Sequence, residues 1–470
     1  MNNKSILTDN ASLAVMFSDM IASTLGPNGL NKLLVDSTGD VYVTNDTKTI
    51  IDKVDVKHPI IKIIIKTAIT QISETGDGAA TVIIITGELL RQALDLIAKG
   101  VMIPVIINGY KKALKDSLEI LKKNSFSDDN SLRNALVTAL KRDYELIDAL
   151  IKVKDTPIED VIIMSKKGNG VELIKGLAID KEPPHPVMPT RIEKPRIIIT
   201  KTPIEVKSTD IKAEFKINNP SQLTDLMKRE SNMVREITSS IKESRANLVI
   251  CQKGISEDAQ EQLARAGIMA LRRVREKDIE LLVKATGAKI ISDLHEIKKE
   301  DFGSAGLIEV RKISDERLTV ISECPKKVNT IIVKSSLKQG QDELENLAKK
   351  GLMIIKEAGV YVPGAGAIEM IIGNELMKNK MDGKEQLAYE SFAKAIKSVT
   401  DKLIRVSGKK GIELLPQIKN GKGISKDGEV IDSIKEGVIE PSIIKEQALI
   451  SAAETAITIL RIDSAIKAKK

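Results

Sequence analysis

Apolar residues at helical spacing fill both ends of this chain and short β-rich runs fill its middle, so the polypeptide must leave one domain, build another and return. The first part is helical to about Asn124, with one strand-like break from Leu33 to Val43. Ser125 to Asn130 is a polar linker. A helical stretch to about Ala149 leads into a short mixed region ending at Pro183, Pro184 and Pro186. Past Pro189 the character changes: Ile197-Ile198-Ile199, Leu248-Val249-Ile250 and Ile290-Ile291 read as strands separated by helical segments, the pattern of an α/β or α+β module. Thr330 to Val333 is another strand, and helix returns from Ala367 to Thr400 and from Ile443 onward. A length of 470 residues exceeds one hydrophobic core and predicts two to four domains.

Within the helical first part, Gly76-Asp77-Gly78-Ala79-Ala80-Thr81 joins two apolar helical segments, Lys62 to Ser73 and Val82 to Ile97. A turn this tight leaves free backbone N–H groups at the start of the second helix, where an anion can settle. Asp77 beside such an anion needs a divalent cation between them; otherwise it is a helix cap. Three further turns share the character. Thr24-Leu25-Gly26-Pro27-Asn28-Gly29 sets glycines on both sides of a proline, which lets backbone approach a ligand closely. Asn45-Asp46-Thr47-Lys48 places an acid after the strand-like Val41-Tyr42-Val43, and Pro363-Gly364-Ala365-Gly366-Ala367 opens a helix far downstream. None fits the dinucleotide fingerprint, and no Gly-Lys-Ser/Thr exists for a Walker-type loop.

These four turns, in this order, resemble those of the group II chaperonins, the archaeal thermosome and its eukaryotic cytosolic relatives. The resemblance runs from about Asn10 to the C-terminus and includes Gly87-Glu88-Leu89-Leu90, Ala246-Asn247-Leu248-Val249-Ile250 and Gly437-Val438-Ile439-Glu440-Pro441. It implies an α+β multidomain chaperonin fold: a mostly helical equatorial domain from residues 1–124 and 364–470, a small intermediate domain from 125–187 and 329–363, and an α/β apical domain over 188–328. The stretch Asn218-Asn219-Pro220-Ser221-Gln222-Leu223, followed by Leu226, Met227, Met233 and Ile237, is similar to the family's helical protrusion. The segment around Ala259, Leu263, Ala266 and Ile268 lies where the family binds clients. Also implied are ATP and Mg²⁺ as cofactors, non-native proteins as clients, and a homo- or hetero-oligomeric double ring with chaperonin paralogues.

Carried over position by position, the resemblance assigns Leu25, Gly26, Pro27 and Gly29 to the first phosphate loop, although the usual lysine is Asn28. Gly76, Asp77 and Gly78 match the magnesium loop, with Asp77 as the metal ligand. The family follows them with three threonines; here Ala79 and Ala80 precede Thr81. Asp46 matches an acid near the attacking water and is the catalytic candidate, but Thr47-Lys48 replaces the Gly-Ala after it. Gly364 and Gly366 match the turn over ribose and adenine, and Glu440 the acid that holds the ribose hydroxyls. A second catalytic aspartate is expected on the helix before Gly364. Counting back without a gap places Leu347 there, whereas matching Asp342-Glu343-Leu344-Glu345 places Lys350. Neither accepts a proton from water, and losing such a group costs a factor of roughly 10² to 10⁴ in rate.

Composition narrows the partners. Bases and acids, 73 and 65, are mixed along the chain with no block beyond a short C-terminal lysine run, and aromatics are only 2%; both argue against a nucleic-acid groove. No apolar run reaches membrane length and the start lacks a signal-peptide core, which predicts a cytoplasmic location without membrane partners. Cys251 and Cys324 offer no disulfide framework, and Cys251 reads as a buried strand thiol. Two functions follow: an ATP-binding chaperone subunit with impaired hydrolysis, or a chaperonin-derived structural or assembly protein that binds nucleotide weakly or not at all.

Overall fold

The computed structural model describes residues 3–35, 39–128, 130–140, 143–205, 220–380, 383–419 and 421–462. They form two compact units, one built from the chain up to Ile151 and again from Asn346, the other from Lys152–Glu345. In chain order the first unit supplies α1 (Asn3–Ala22), α2 (Thr47–Lys53), α3 (Pro59–Thr75), α4 (Ala79–Ala98), α5 (Ile103–Lys123), α6 (Ser131–Ala139) and α7 (Tyr144–Lys152). The second carries α8 (Pro220–Glu243), α9 (Glu257–Arg265) and α10 (Glu276–Thr286), and α11 (Lys338–Lys356) leads back. The return leg adds α12 (Ala367–Lys378), α13 (Glu385–Val406), α14 (Gly411–Leu414) and α15 (Ser442–Leu460).

Helix α4 is apolar nearly all round, with Val82, Ile83, Ile84, Ile85, Leu89 and Leu90 all buried, and such a helix is stable only at the centre of a bundle. Helices α1, α3, α13 and α15 pack on it, so both ends of the chain share one core. Gly87 permits the close approach of α1: a Cβ there would lie 2.2 Å from the Ser18 Cβ. Tyr110 of α5 donates to the Leu89 carbonyl at 2.7 Å and meets Phe392 of α13 edge-on, with centroids 5.7 Å apart. The strand-like break is a hairpin, Lys32–Val35 against Val41–Thr44, in antiparallel register.

In the second unit the strands Ile290–Ile291, Arg196–Thr200, Leu248–Cys251 and Met269–Leu271 lie side by side in that order, neighbours parallel. Ile197, Ile199, Leu248 and Ile250 enter one core while Ile198, Val249 and Cys251 enter another. Both faces are therefore covered, which is why these strands read as unbroken apolar runs. The Cys251 thiol is free and fully buried, and burial pushes it up to about 11. An antiparallel sheet of Gly176–Ile179, Glu316–Ser322, Leu307–Ile313 and Arg191–Glu193 and a three-stranded sheet centred on Asn329–Lys334 complete the unit.

Helix α8 is described from Pro220 onward. Asn218 and Asn219 lie outside the described residues. Farther along, Val234 and Ile241 are buried and Met233 is exposed. Ala259, Leu263 and Ile268, expected in a client-binding region, are buried in the core beneath Leu248–Cys251, so their side chains serve packing. Among the described residues no helix is long and apolar enough to cross a membrane.

Candidate functional site

Two glycines shape the turn at Asp77. Gly76 (φ 78°) ends α3 and Gly78 (φ 91°) precedes α4, both in the left-handed region that a Cβ penalises. Gly76 is doubly required, because a Cβ there would sit 2.5 Å from the Cβ of Met353 on α11. Gln71, fully buried on α3, braces the turn by donating its Nε2 to the carbonyls of Asp77 and Ile444, each at 3.1 Å. This ties the turn to the first residues of α15.

Both oxygens of Asp77 are engaged. Oδ1 accepts from the Gly78 N–H at 2.8 Å, and Oδ2 faces the Nζ of Lys350 at 2.7 Å. The carboxylate sits in a recess: 38% of its side-chain surface is open, yet protein surrounds it closely enough for burial to be the largest influence on its ionisation. Burial favours the protonated acid, but the charge and hydrogen bond of Lys350, then Gly78, outweigh it and hold the carboxyl below its ordinary value. Of the two positions the sequence left open, Lys350 is the one whose side chain reaches this turn; Leu347 is half-buried on the same helix.

The downstream glycine turn is placed by strand pairing. Tyr361–Pro363 runs antiparallel to Ile439–Pro441, and the Gly364 N–H donates to the Val438 carbonyl at 2.9 Å. Gly364 lies against Glu440; a Cβ on it would come within 2.9 Å of Oε1. Gly366 (φ 80°) opens α12, and Thr400 Oγ1 of α13 donates to its carbonyl at 2.7 Å. Three residues farther along α13, Leu403 packs against Gly26, where a Cβ would lie 2.7 Å from Cδ2. Pro27 is exposed, Leu25 packs on the core, and Asn45 Nδ2 donates to the Gly29 carbonyl at 3.0 Å.

A charge triad, with Lys445 and Glu369 buried and Glu440 half-buried, joins the downstream turn to the start of α15. Lys445 of α15 contacts Glu369 of α12 and Glu440, each at 2.8 Å. Burial pushes Glu440 up, as does Glu369, against the opposing pull of Lys445. Burial disfavours the Lys445 cation, but its two carboxylates prevail and raise it. The second oxygen of Glu369, Oε2, is buried without a partner, as is Gln71 Oε1. Ala79 is buried and Ala80 half-buried at the start of α4, leaving Thr81 as the hydroxyl of that turn. Asp46 caps α2: its Oδ2 accepts from the Thr49 N–H at 3.0 Å and the Thr49 hydroxyl at 2.7 Å. Lys48 reaches across to Asn346 Oδ1 of α11 at 3.0 Å. Turns at Gly26, Asp77 and Gly364 thus lie along one continuous set of contacts within the first unit.

Residues 17–470 match the model of the TCP-1/cpn60 chaperonin family. The chain belongs to that family. It is 38% identical over 500 residues to a thermosome subunit of Pyrococcus abyssi, with 98% of this chain and 91% of the relative covered. A thermosome subunit alpha of Archaeoglobus fulgidus is 38% identical over 503 residues with the same coverage. Among solved structures, a group III chaperonin in the open state superposes with a TM-score of 0.86 at 25% identity, covering 98% of this chain and 99% of that one. The protein is a thermosome-like chaperonin subunit, a chaperone of protein folding, with mixed helical and α/β architecture.

Sequence reasoning missed Gln71, Glu369, Thr400 and Lys445. Gln71 carried a signal: it falls on the buried stripe Ile60, Ile64, Ala68, Gln71, Thr75 of α3, and a polar residue on such a stripe must have buried partners.

The family is ATP-dependent, and the glycine turns with the open helix starts fit an anionic chain. Mg²⁺ fits less well. A magnesium ion needs carboxylate or phosphate oxygens at about 2.0–2.1 Å, while Asp77 already meets an ammonium with one oxygen and an N–H with the other. Among the described residues no group of three or more His, Cys, Asp or Glu side chains is arranged to hold a metal ion.

Proposed function

We propose that this chain is an ATP-binding chaperonin subunit that assists protein folding in a ring assembly and hydrolyses ATP poorly. The observation that carries the reading is Lys350: an ammonium stands beside Asp77 where the resemblance calls for a second carboxylate. A lysine cation cannot take a proton from water or orient it as a carboxylate does, so the lost group costs a factor of roughly 10² to 10⁴. Nucleotide binding rests on Leu25, Gly26, Pro27, Gly29, Gly76, Asp77, Gly78, Ala79, Ala80, Thr81, Gly364, Gly366 and Glu440, and Asp46 is the remaining acid for water. Non-native proteins are the clients, and copies of this chain or paralogous subunits are the ring partners. The hairpin supports assembly: Leu33 with Val43 and Val35 with Val41 form cross-strand pairs whose apolar side chains are exposed. We assign residues 1–124 and 364–470, within the first unit, to the equatorial domain, 188–328, within the second, to the apical domain, and 125–187 with 329–363, shared between the units, to the intermediate domain.

Ala79 and Ala80 favour a second reading, a structural or assembly subunit that binds nucleotide weakly or not at all, because two hydroxyls expected toward phosphate are absent. Calorimetric titration of ATP into the purified chain, paired with phosphate-release kinetics, separates the two. Binding with little turnover supports the first; no binding supports the second; turnover at ordinary chaperonin rates overturns both.

A further inference from the structure

Helix α11 holds Lys350 in place. Asn346, Lys350 and Met353 recur at i, i+4 and i+7, one face of a helix, and each meets the first unit's core. Asn346 accepts from Lys48, Lys350 pairs with Asp77, and Met353 packs on Gly76. Three contacts fix the helix, so the ammonium is placed by the fold rather than by a freely moving side chain.

The electrostatic consequence concerns the anion site. An unpaired Asp77 would repel a phosphate and would need a divalent cation between them. Here the pair is neutral. Beside it, α4 begins with no acid in its first turn and no side-chain cap on its N–H groups, leaving the positive end of the helix open. A second lysine, Lys48, stands on the neighbouring turn. Gln71, fully buried beneath the same turn, braces it through Nε2, which donates to the Asp77 carbonyl at 3.1 Å.

We infer that this site takes its nucleoside triphosphate without a divalent cation, the Lys350 ammonium supplying the positive charge that a metal ion would otherwise bring to the Asp77 turn. The inference rests on the nucleotide reading above and names the ionic form of the ligand. An ammonium donates hydrogen bonds to phosphate oxygens as well as balancing Asp77, and it does so at any magnesium concentration.

The test is equilibrium binding of ATP to the full chain by calorimetry, once in excess EDTA and once in excess MgCl₂. Affinities within about threefold of each other are expected, since the charge at the turn is already supplied. Binding at least about tenfold tighter with magnesium overturns the inference and leaves the nucleotide reading standing. Absence of binding in both buffers overturns the nucleotide reading and this inference with it. In Lys350→Met, metal-free binding is expected to weaken about tenfold or more, the worth of a charge-assisted hydrogen bond. In Lys350→Asp, a second acid replaces the cation and binding is expected to become magnesium-dependent. A circular-dichroism melt confirms that each variant folds. Folded variants with unchanged metal-free affinity also overturn the inference.

Discussion

Lys445 carries the highest stakes of any single side chain in the site. It is 10% exposed and balances Glu369, 4% exposed, and Glu440, 24% exposed. Lys445→Ala leaves two carboxylates facing each other in a poorly hydrated place, and breaking a buried ion pair from one side costs about 3–5 kcal/mol. A thermal or urea melt should show a loss of that order. The Asp77–Lys350 pair is more open, at 38% and 22%, so its worth is about 1 kcal/mol or less. Its sign with pH is fixed, because the folded carboxyl lies below the ordinary 3.8. The contribution is fully present above that value and disappears as the pH falls through the lower folded value. The stability gap between wild type and Lys350→Met should therefore be constant near neutrality and shrink in acid below 3.8. A gap that widened in acid would contradict the pairing.

At the scale of elements, glycines set how closely helices and turns approach. Gly76→Ala introduces a Cβ at a left-handed φ of 78° and 2.5 Å from Met353, which should cost about 1–3 kcal/mol and loosen α11 from the Asp77 turn. Gly87→Ala, wedged against Ser18 between α1 and α4, should cost a similar 1–3 kcal/mol by overpacking, roughly, without touching the site. Chemical denaturation measures both. Elements of this kind were largely legible beforehand. The apolar runs Ile197–Ile199 and Leu248–Ile250 became strands, and α12, α13 and α15 formed where helical spacing returned. The glycine turns were visible because backbone conformation demands glycine there. Lys350 was not separable from Leu347, since residues three apart share a helix side and periodicity cannot tell them apart. Nor was the Lys445 triad legible: Glu369 and Lys445 are 76 residues apart, and their helices meet through the pairing of Tyr361–Pro363 with Ile439–Pro441 and the shared core.

For the whole molecule, the two legs of the chain converge on one helical core and carry the turns with them, while the middle of the chain builds sheets of its own. Ring formation is expected to depend on the hairpin, whose Leu33 and Val43 are 68% and 52% exposed. Leu33→Lys with Val43→Glu, an opposite-charge cross-strand pair, should leave folding stability within about 0.5 kcal/mol of wild type, as surface changes do, and abolish ring particles in negative-stain images. Persistence of rings would move the contact elsewhere. On the proposed reading, nucleotide binds at the glycine turns while Lys350 stands where an acid would drive hydrolysis. Steady-state phosphate release at saturating ATP, with bound nucleotide quantified in the same sample, tests it most directly. Occupied sites with turnover at least about 10²-fold below that of a thermosome carrying the acid are predicted. Occupied sites turning over at the thermosome's own rate would contradict it.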